Sequence, residues 1–467
     1  MQARRARSEP KASEIESLEQ ATAYLEGLIN VEHLPSFAKA RLGLAPIRAL
    51  LECLGHPERE LSIFHVAGSK GKGSTCLLAE SIVLAGGRPV GTFTSPHLMS
   101  WTERFRVSGK PATGALVAAA VDRVRPFVDE LRLDSPDDAP SFFDATTAAA
   151  LWLFADAGLE HAILEVGLGG RLDSTNAVDP QVTCITSIER EHTEKLGDTL
   201  AAIAGEKAGI LKPGVAAVAG RLPDEAEQVV RARAADVGAP LAWLGVDFEA
   251  EVEGEPKSGR TTLRYRDSDG FECRAHLAVL GRHQVDNAAL AIAAVRRWTD
   301  VASDRLPEAI ASGLASAALP GRIELLGEQP WVIVDAAHTE ASARALAGVL
   351  TSLAVPPGHL VLSISGGKDL DAILGALLPH AARITVTRAE PHRSLDPAEI
   401  AAASRALEPG VHVSVLPDPR LAVRAAREGL GPDDSMCVAG SVYLAGVARE
   451  VLLGDRAEAV VVSRRNA

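Results

Sequence analysis

The sequence predicts an α/β protein in which parallel strands alternate with helices. Three short apolar runs, at residues 61–67, 161–166 and 182–187, are typical of buried strands, and Ala-rich helical stretches lie between them. Parallel strands need such crossover helices, so the alternation favours a mostly parallel sheet. The chain has 467 residues, too many for one hydrophobic core, and two or more domains are therefore expected.

Three further regions complete the predicted fold. Residues 13–55 have the apolar spacing of helices, and residues 249–280 alternate polar with apolar residues, which predicts a small antiparallel sheet at the edge of the first domain. A Leu-Pro-Gly-Arg break at residues 319–322 precedes a second α/β series, with strands predicted at residues 331–334, 361–364, 384–386 and 411–415. We expect a flexible tail over residues 1–18, a first domain over 19–322 and a second over 323–467.

The composition is that of an ordinary globular protein, with 47% hydrophobic and 23% charged residues. The formal net charge of −13 argues against nucleic acid or an anionic membrane as the main partner. The five cysteines are far apart and form no Cys-x-x-Cys pair, which argues against a zinc site or a disulfide framework. No apolar run approaches ~20 residues, and no secretory signal is recognisable. We therefore expect a soluble, cytoplasmic protein.

A glycine-rich loop follows the first predicted strand and precedes a helix of small residues. Such a loop can wrap phosphates with its backbone N–H groups, while Lys72 reaches the β- and γ-phosphates. It departs from the standard pattern, because Val66 stands where that pattern has its first glycine and Gly73 is an extra glycine before Ser74. A flexible turn is the alternative, but the strand–loop–helix setting favours a P-loop-type domain that uses ATP or GTP, an ATPase or a GTPase domain, and it specifies no reaction. The predicted nucleotide ligands are Gly68, Ser69, Gly71, Lys72, Gly73, Ser74 and Thr75.

Other candidate site residues stand mainly at strand ends. Glu165 ends a strand beside a second glycine-rich loop, a position suited to Mg²⁺, although a solvated glutamate is an alternative. His192 stands among glutamates, and a lone histidine is more often structural than a ligand. Lys207 lies among small residues, either at the surface or inside with a lowered pKa. In the second series, Asp335 and His338 follow a strand, where Asp335 has the alternative of capping the next helix.

Further strings of residues complete an ordered series that runs from about Leu42 to Leu452. The strings are Thr94-Ser95-Pro96-His97-Leu98, Glu103-Arg104-Phe105, residues 164–173, His192-Thr193, residues 206–210, Gly281-Arg282-His283-Gln284 with Asn287, Pro320-Gly321-Arg322, Asp335-Ala336-Ala337-His338 and Gly440-Ser441-Val442-Tyr443-Leu444. In this order they resemble the motifs of the folylpolyglutamate synthase and dihydrofolate synthase family, in the Mur ligase superfamily. One string alone is weak support, whereas the whole set in order is specific.

The resemblance implies an ATP- and Mg²⁺-dependent ligase that joins glutamate to a folate-type carboxylate through an acyl phosphate. Dihydropteroate, tetrahydrofolyl-polyglutamate or both would be the acceptor, and a Rossmann-like C-terminal domain would supply part of the site. The resemblance assigns catalysis to Lys72, Lys207, Asp335 and His338, nucleotide contacts to Asn287 and Arg322, two Mg²⁺ ions to Ser95, Glu165 and His192, and the folate side to Phe143 and Asp173. Lys207 resembles a lysine that becomes carbamylated. A monovalent cation is left open, and a monomer with small-molecule partners is expected.

A few positions depart from the family pattern. Ser69-Lys70 replaces Thr-Asn, Ala336 replaces Gly, Thr339 replaces Asn, and residues 188–192 carry more charge. An alanine at position 336 is tolerated if its φ is negative. Two alternatives remain: a Mur-type ligase for a non-folate carboxylate or another amino acid, and a catalytically silent ATP-binding homologue. The silent homologue explains poorly why so many chemically capable residues occur together.

Overall fold

The first domain is built on an eight-stranded sheet with the order β4-β3-β2-β5-β1-β6-β7-β8. The computed structural model describes residues 15–29, 43–253, 261–298, 305–391 and 393–454. The strands are β1 Ser62–Ala67, β2 Val90–Phe93, β3 Phe105–Val107, β4 Lys110–Pro111, β5 His161–Glu165, β6 Val182–Ile185, β7 Ala216–Ala219 and β8 Leu241–Trp243. In the spatial order from β2 through β5, β1, β6 and β7 to β8, all neighbours pair in parallel. At the other edge, β3 is antiparallel to β2 and β4 is antiparallel to β3. The prediction of a mostly parallel sheet is confirmed.

Helices cover both faces of this sheet. They are α1 Leu18–Glu26, α2 Ala45–Leu54, α3 Lys72–Ala85, α4 Gly114–Asp134, α5 Phe142–Asp156, α6 Thr193–Leu196, α7 Leu200–Ala208, α8 Asp224–Val237, α9 Arg282–Arg297 and α10 Leu306–Ser316. Ile63 of β1 packs into the core with α2 and α5, and the next residue, Phe64, packs into the core with α3 and α9. Successive strand side chains point to opposite faces, so this sheet is buried on both sides.

The start of the chain is described only in part. Of the helical pattern predicted over residues 13–55, α1 and α2 are observed, and residues 30–42 lie outside the described residues. Residues 1–14 of the predicted tail also lie outside them. Ile15 is buried, and Ser17 caps α1 through a capping box with Gln20.

A separate three-stranded sheet follows β8, the edge strand of the large sheet. Its strands are β9 Phe248–Val252, β10 Thr261–Asp267 and β11 Glu272–Leu277, all antiparallel to their neighbours. Leu263, Tyr265 and Leu277 are buried in the core that also holds α3 and α9. The predicted small antiparallel sheet is confirmed, and its inner face covers the helices of the first domain.

The second domain contains a six-stranded sheet with the order β12-β13-β17-β14-β15-β16. The strands are β12 Glu324–Glu328, β13 Trp331–Val334, β14 Gly358–Leu362, β15 Ala381–Val386, β16 His412–Val415 and β17 Ser435–Ala439. The helices are α11 Glu340–Ser352, α12 Leu370–Leu377, α13 Pro397–Leu407, α14 Pro419–Glu428 and α15 Val442–Leu453. Only the β12–β13 pair is antiparallel, so the predicted α/β class is confirmed. The apolar runs above did not include β17, which is central and fully buried.

The candidate residues lie where strands of the two parallel sheets end. The glycine-rich loop follows β1, Glu165 ends β5, His192 follows β6, and Asp335 follows β13. In open α/β sheets, ligands bind beside the carboxyl ends of the strands. None of the helices within the described ranges is both long and apolar enough to cross a membrane.

Candidate functional site

The glycine-rich loop connects β1 to α3, and its glycines are required by close neighbours. Gly68 has a φ of 149°, and a Cβ there would overlap with Oγ1 of Thr186. Gly71 has a φ of 84°, and a Cβ there would overlap with Oδ1 of Asn287 on α9. Nδ2 of Asn287 donates to Oε1 of Gln284 at 2.9 Å, which fixes the amide. The loop therefore lies directly against Asn287, a predicted nucleotide contact.

Lys72 and Lys207 both donate to the carbonyl oxygen of Gly68. The distances from Nζ are 2.9 Å for Lys72 and 3.0 Å for Lys207. Lys207 is only 2% exposed, so the surface alternative for this lysine is wrong. Burial, followed by the charge of Lys72, lowers the pKa of Lys207 to about 8. A larger fraction of its amine is consequently neutral near neutral pH than in a lysine with an ordinary pKa.

Glu191 is the anion that balances these lysines. Its Oε1 lies 3.3 Å from Nζ of Lys207, and its Oε2 lies 3.4 Å from Nζ of Lys70. Burial alone would raise the pKa of Glu191, but Lys72, Lys207 and Lys70 together lower it. From the sequence, Glu191 was only one of the glutamates around His192. The available indication of its role was its position in residues 188–192, which carry more charge than the family pattern does.

Glu165 is a buried carboxylate beside the loop. It is 5% exposed and accepts a hydrogen bond from the backbone N–H of Ser95 at 3.0 Å. A Cβ on Gly73 would lie 3.3 Å from its Oε2. Burial raises the pKa of Glu165, and the charge of Lys72 opposes that shift. The alternative of a solvated strand-end glutamate is therefore wrong.

The predicted magnesium ligands differ in how closely they approach one another. Ser95 contacts Glu165 directly, whereas His192 lies at the start of α6 with a φ of 48°. Burial lowers the pKa of His192 and so favours the neutral imidazole that metals bind. No group of three His, Cys, Asp or Glu side chains among the described residues forms a ready-made metal cluster. Mg²⁺ often takes only one or two carboxylates together with phosphates and waters, which a single buried Glu165 beside a phosphate loop fits.

Asp335 does not cap the next helix, so that alternative is wrong. Its carboxylate accepts backbone hydrogen bonds from Ile323 at 2.6 Å and from Ala337 at 2.8 Å. The N-cap of α11 is instead Thr339, which forms a capping box with Ser342. Thr339, which stands where the family pattern has Asn, thus has a structural role as a cap. Ala336 does not have a positive φ, so alanine is tolerated where the family pattern has glycine.

His338 of the second domain and Arg322 at the domain boundary interact with charged groups of the first domain. Burial, followed by the charge of Lys70, lowers the pKa of His338 to about 4. Its Nδ1 lies 2.8 Å from the carbonyl oxygen of Ala336. The charge of Arg322 contributes to the pKa of both Glu165 and His338, so this guanidinium lies close to both domains' candidate groups.

Lys368 is a further cation at this junction that the sequence analysis did not identify. Burial, and then the charge of Lys70, lowers its pKa. It follows two glycines after β14, and the resulting Gly-Gly-Lys string at a strand end was the pattern that could have revealed it.

The predicted folate-side residues lie in and against the loop after β5. Phe143 packs against Gly167 so closely that a Cβ on this glycine would overlap with its ring. Asp173 accepts hydrogen bonds from the backbone N–H of Leu168 at 2.8 Å and of Thr175 at 3.0 Å. Oγ1 of Thr175 lies 2.8 Å from Nε2 of His65 on β1. Asp173 thus shapes the loop that follows Glu165, and its role toward substrate stays a prediction.

Comparison with known proteins identifies the family. The Mur ligase middle domain matches residues 66–295, and the Mur ligase glutamate ligase domain matches residues 321–442. The dihydrofolate synthase/folylpolyglutamate synthase of Mycobacterium tuberculosis is 35% identical over 401 residues, which cover 81% of this chain and 82% of that protein. The chain belongs to the folylpolyglutamate synthase family of Mur ligases.

Members of the folylpolyglutamate synthase family also share the fold. The structure of Mycobacterium tuberculosis folylpolyglutamate synthase complexed with ADP has a TM-score of 0.83 and 33% identity, and the match covers 93% of this chain and 98% of that one. A probable bifunctional folylpolyglutamate synthase/dihydropteroate synthase of Haloferax volcanii is 35% identical over 410 residues, or 87% of this chain. The chain spans about half the length, 48%, of that relative.

Replacing Gly71 tests the nucleotide loop. We expect Gly71→Ala to weaken binding of a non-hydrolysable ATP analogue about tenfold or more in calorimetric titration. Alanine at a positive φ costs about 1–3 kcal/mol, about 1.4 kcal/mol corresponds to tenfold in affinity, and its Cβ overlaps with Asn287. Gly87→Ala is the matched control, because Gly87 has a φ of 79° and no atom within 4 Å of its added Cβ. Equal affinities of the two variants would contradict the assignment of the loop.

Proposed function

We propose that this protein is an ATP-dependent ligase that adds L-glutamate to a folate-type carboxylate and releases ADP and phosphate. The observation that carries the proposal is the loop at residues 68–75, with Lys72 and Lys207 on one carbonyl oxygen and the buried Glu165 beside it. The relative from Mycobacterium tuberculosis that was solved with ADP supports the nucleotide, and the relatives' names support glutamate and folate.

The proposed reaction activates a carboxylate, which by itself is a poor electrophile. One oxygen of the folate-type carboxylate attacks the γ-phosphorus of ATP, the bond to ADP breaks, and an acyl phosphate forms. The neutral amine of glutamate then attacks the acyl carbon, the amine loses a proton, and phosphate leaves with the attacking carboxylate oxygen. Lys72 and Arg322 offset the charge on the transferring phosphoryl group.

Magnesium would be held on the first domain. Ser95, Glu165 and His192 would be the ligands, shared over two ions. Bound Mg²⁺ would neutralise phosphate oxygens during phosphoryl transfer. Glu165 suits this role because burial and its contact with Ser95 fix the carboxylate before the nucleotide arrives. A monovalent cation stays an open prediction.

The second domain would position the incoming amino acid. His338 is neutral near neutral pH, since its pKa is lowered to about 4 by burial and by the charge of Lys70. If its Nδ1–H donates to the carbonyl of Ala336, Nε2 is left as an acceptor toward the junction. Asp335 would act indirectly, because its carboxylate accepts a hydrogen bond from the backbone N–H of Ile323, the residue next to Arg322.

Lys207 is proposed to be carbamylated. Its neutral amine nitrogen would attack the carbon of CO₂ and lose one proton, which leaves an anionic carbamate in place of the ammonium group. Burial and the nearby charge of Lys72 lower the pKa of Lys207 to about 8, and a lower pKa raises the neutral fraction that reacts. Since only the neutral amine reacts, carbamylation increases as the pH rises toward and above that pKa. The carbamate would supply a further anion beside the predicted magnesium site.

Omission of substrates tests the proposed function. Phosphate release from ATP and Mg²⁺ is measured with dihydropteroate plus glutamate and with tetrahydrofolate plus glutamate, and each component is left out in turn. We expect release to require both the pterin and glutamate, with a product heavier by one added glutamate. The acceptor that supports turnover distinguishes a dihydrofolate synthase from a folylpolyglutamate synthase. If neither pterin supports turnover although ATP binds, a non-folate ligase or a silent homologue is favoured.

Substitution of Lys207 tests the carbamate. We expect Lys207→Ala and Lys207→Arg to lose about 10²–10³-fold in kcat, as when one charge-stabilising group is removed. Arginine keeps the positive charge but forms no carbamate, so activity in Lys207→Arg would contradict the proposal. Wild-type activity should rise with added bicarbonate in CO₂-depleted buffer, and the variants should show no such response. Lys195→Ala is the control for loss of an ordinary lysine nearby in the sequence.

A further inference from the structure

A short part of the first domain, the 95–100 segment, reaches the second domain. At its start, the backbone N–H of Ser95 donates to Oε2 of Glu165 at 3.0 Å. Leu98, in the middle of the segment, packs against an apolar cluster of the second domain that includes Val334, Leu444 and Ala445. The segment therefore contacts the predicted magnesium carboxylate of one domain and the core of the other.

Two glycines make room for Leu98. Gly446 lies inside α15, where glycine is a poorer helix former than alanine. A Cβ on Gly446 would overlap with the carbonyl oxygen of Leu98, so the close backbone approach explains this glycine. Gly321 has a φ of 63°, and a Cβ there would lie 3.1 Å from Cδ1 of Leu98. Leu98 thus occupies a slot between the interdomain connection and α15.

Residues 98–100, in the second half of this segment, are held by one carboxylate. Glu103 accepts backbone hydrogen bonds from Leu98 at 2.8 Å, from Met99 at 2.9 Å and from Ser100 at 2.9 Å. Three consecutive N–H groups on one side chain leave residues 98–100 little freedom to deform on their own.

The side of the slot formed by the interdomain connection is fixed by hydrogen bonds to the second domain. The carbonyl oxygen of Gly321 accepts a hydrogen bond from the N–H of Ala336 at 2.9 Å. Ile323, two residues further, has a φ of 46°, an unusual conformation for a β-branched residue. Asp335 holds it there by accepting its N–H at 2.6 Å. Arg322 stands between these two fixed residues.

We infer that Leu98 is a positioning residue that seats the second domain against the first and so sets the distance between the phosphoryl-transfer groups and the amino-acid side of the site. This inference rests on the proposed function. If Leu98 is removed, the acyl phosphate still forms on the first domain, but the amine is misplaced. Water then attacks the acyl carbon, phosphate leaves, and the original carboxylate is regenerated with loss of a proton.

Leu98→Ala, Gly446→Ala and Met99→Ala test this inference in the full chain. Met99 is the matched control, because it adjoins Leu98 but its side chain is 37% exposed. We expect Leu98→Ala and Gly446→Ala to lower kcat for glutamate addition about 10- to 100-fold, as a misplaced reacting group does, with the KM for ATP little changed. Both should also release more phosphate than ligated product, and Leu98→Met should restore much of the coupling. Met99→Ala should behave as the wild type.

Amide hydrogen exchange provides a readout that does not depend on turnover. We expect faster exchange in residues 319–324 and in α15 for Leu98→Ala, and unchanged exchange for Met99→Ala. If Leu98→Ala matches Met99→Ala in both exchange and coupling, the inference is wrong. If the wild type shows no glutamate-dependent turnover, the proposed function fails, and the exchange comparison still decides whether Leu98 seats the domain.

Discussion

The carbonyl oxygen of Gly68 accepts hydrogen bonds from two lysines, and the candidate site depends on that arrangement. Two ammonium groups on one oxygen repel each other, most strongly where they are shielded from water. Glu191 offsets part of this charge through Lys207 and Lys70. The proposed carbamate on Lys207 would remove the repulsion and leave Lys72 and Lys70 as the cations available to phosphates. A chain with a net charge of −13 thereby gathers lysines at the loop that is proposed to bind the anionic nucleotide.

Fold and chemistry are joined through the strand ends of two parallel sheets. The first sheet brings the loop after β1 and Glu165 together, and the second supplies His338. In the proposed mechanism, groups of the first domain activate the carboxylate and His338 of the second domain serves the incoming amine. The relative position of the domains would then be part of the site, and the contact of Leu98 with Gly321 and Gly446 gives that position a physical basis.

Features that depend on local pattern were predicted well from the sequence. The strands around the phosphate loop follow from short apolar runs, and the interior strand β17 was missed although it is a similar run. Lys207 and Glu165 were identified as candidates with open alternatives, because local sequence does not determine whether a charged side chain is buried. The alternative that Asp335 caps the next helix is wrong, because Thr339 satisfies the local preference and frees Asp335 for a distant partner.

Contacts between distant parts of the chain were beyond the sequence. The ion pairs of Glu191 join residues of three separate loops and helices, and no periodic pattern encodes them. Gly446 lies inside α15, where glycine is a poor helix former, and the close approach of Leu98 explains it. Such constraints arise from contacts between elements far apart in the sequence, within the first domain for Glu191 and between the two domains for Gly446.

Transfer of oxygen from the acceptor carboxylate to phosphate tests the central claim most directly. The acceptor is labelled with ¹⁸O in its reacting carboxylate and incubated with ATP, Mg²⁺ and glutamate, and the released phosphate is analysed by mass spectrometry. An acyl phosphate predicts that each phosphate released during ligation carries one oxygen from the carboxylate. Phosphate that carries no label, despite formation of the glutamate adduct, would contradict the account.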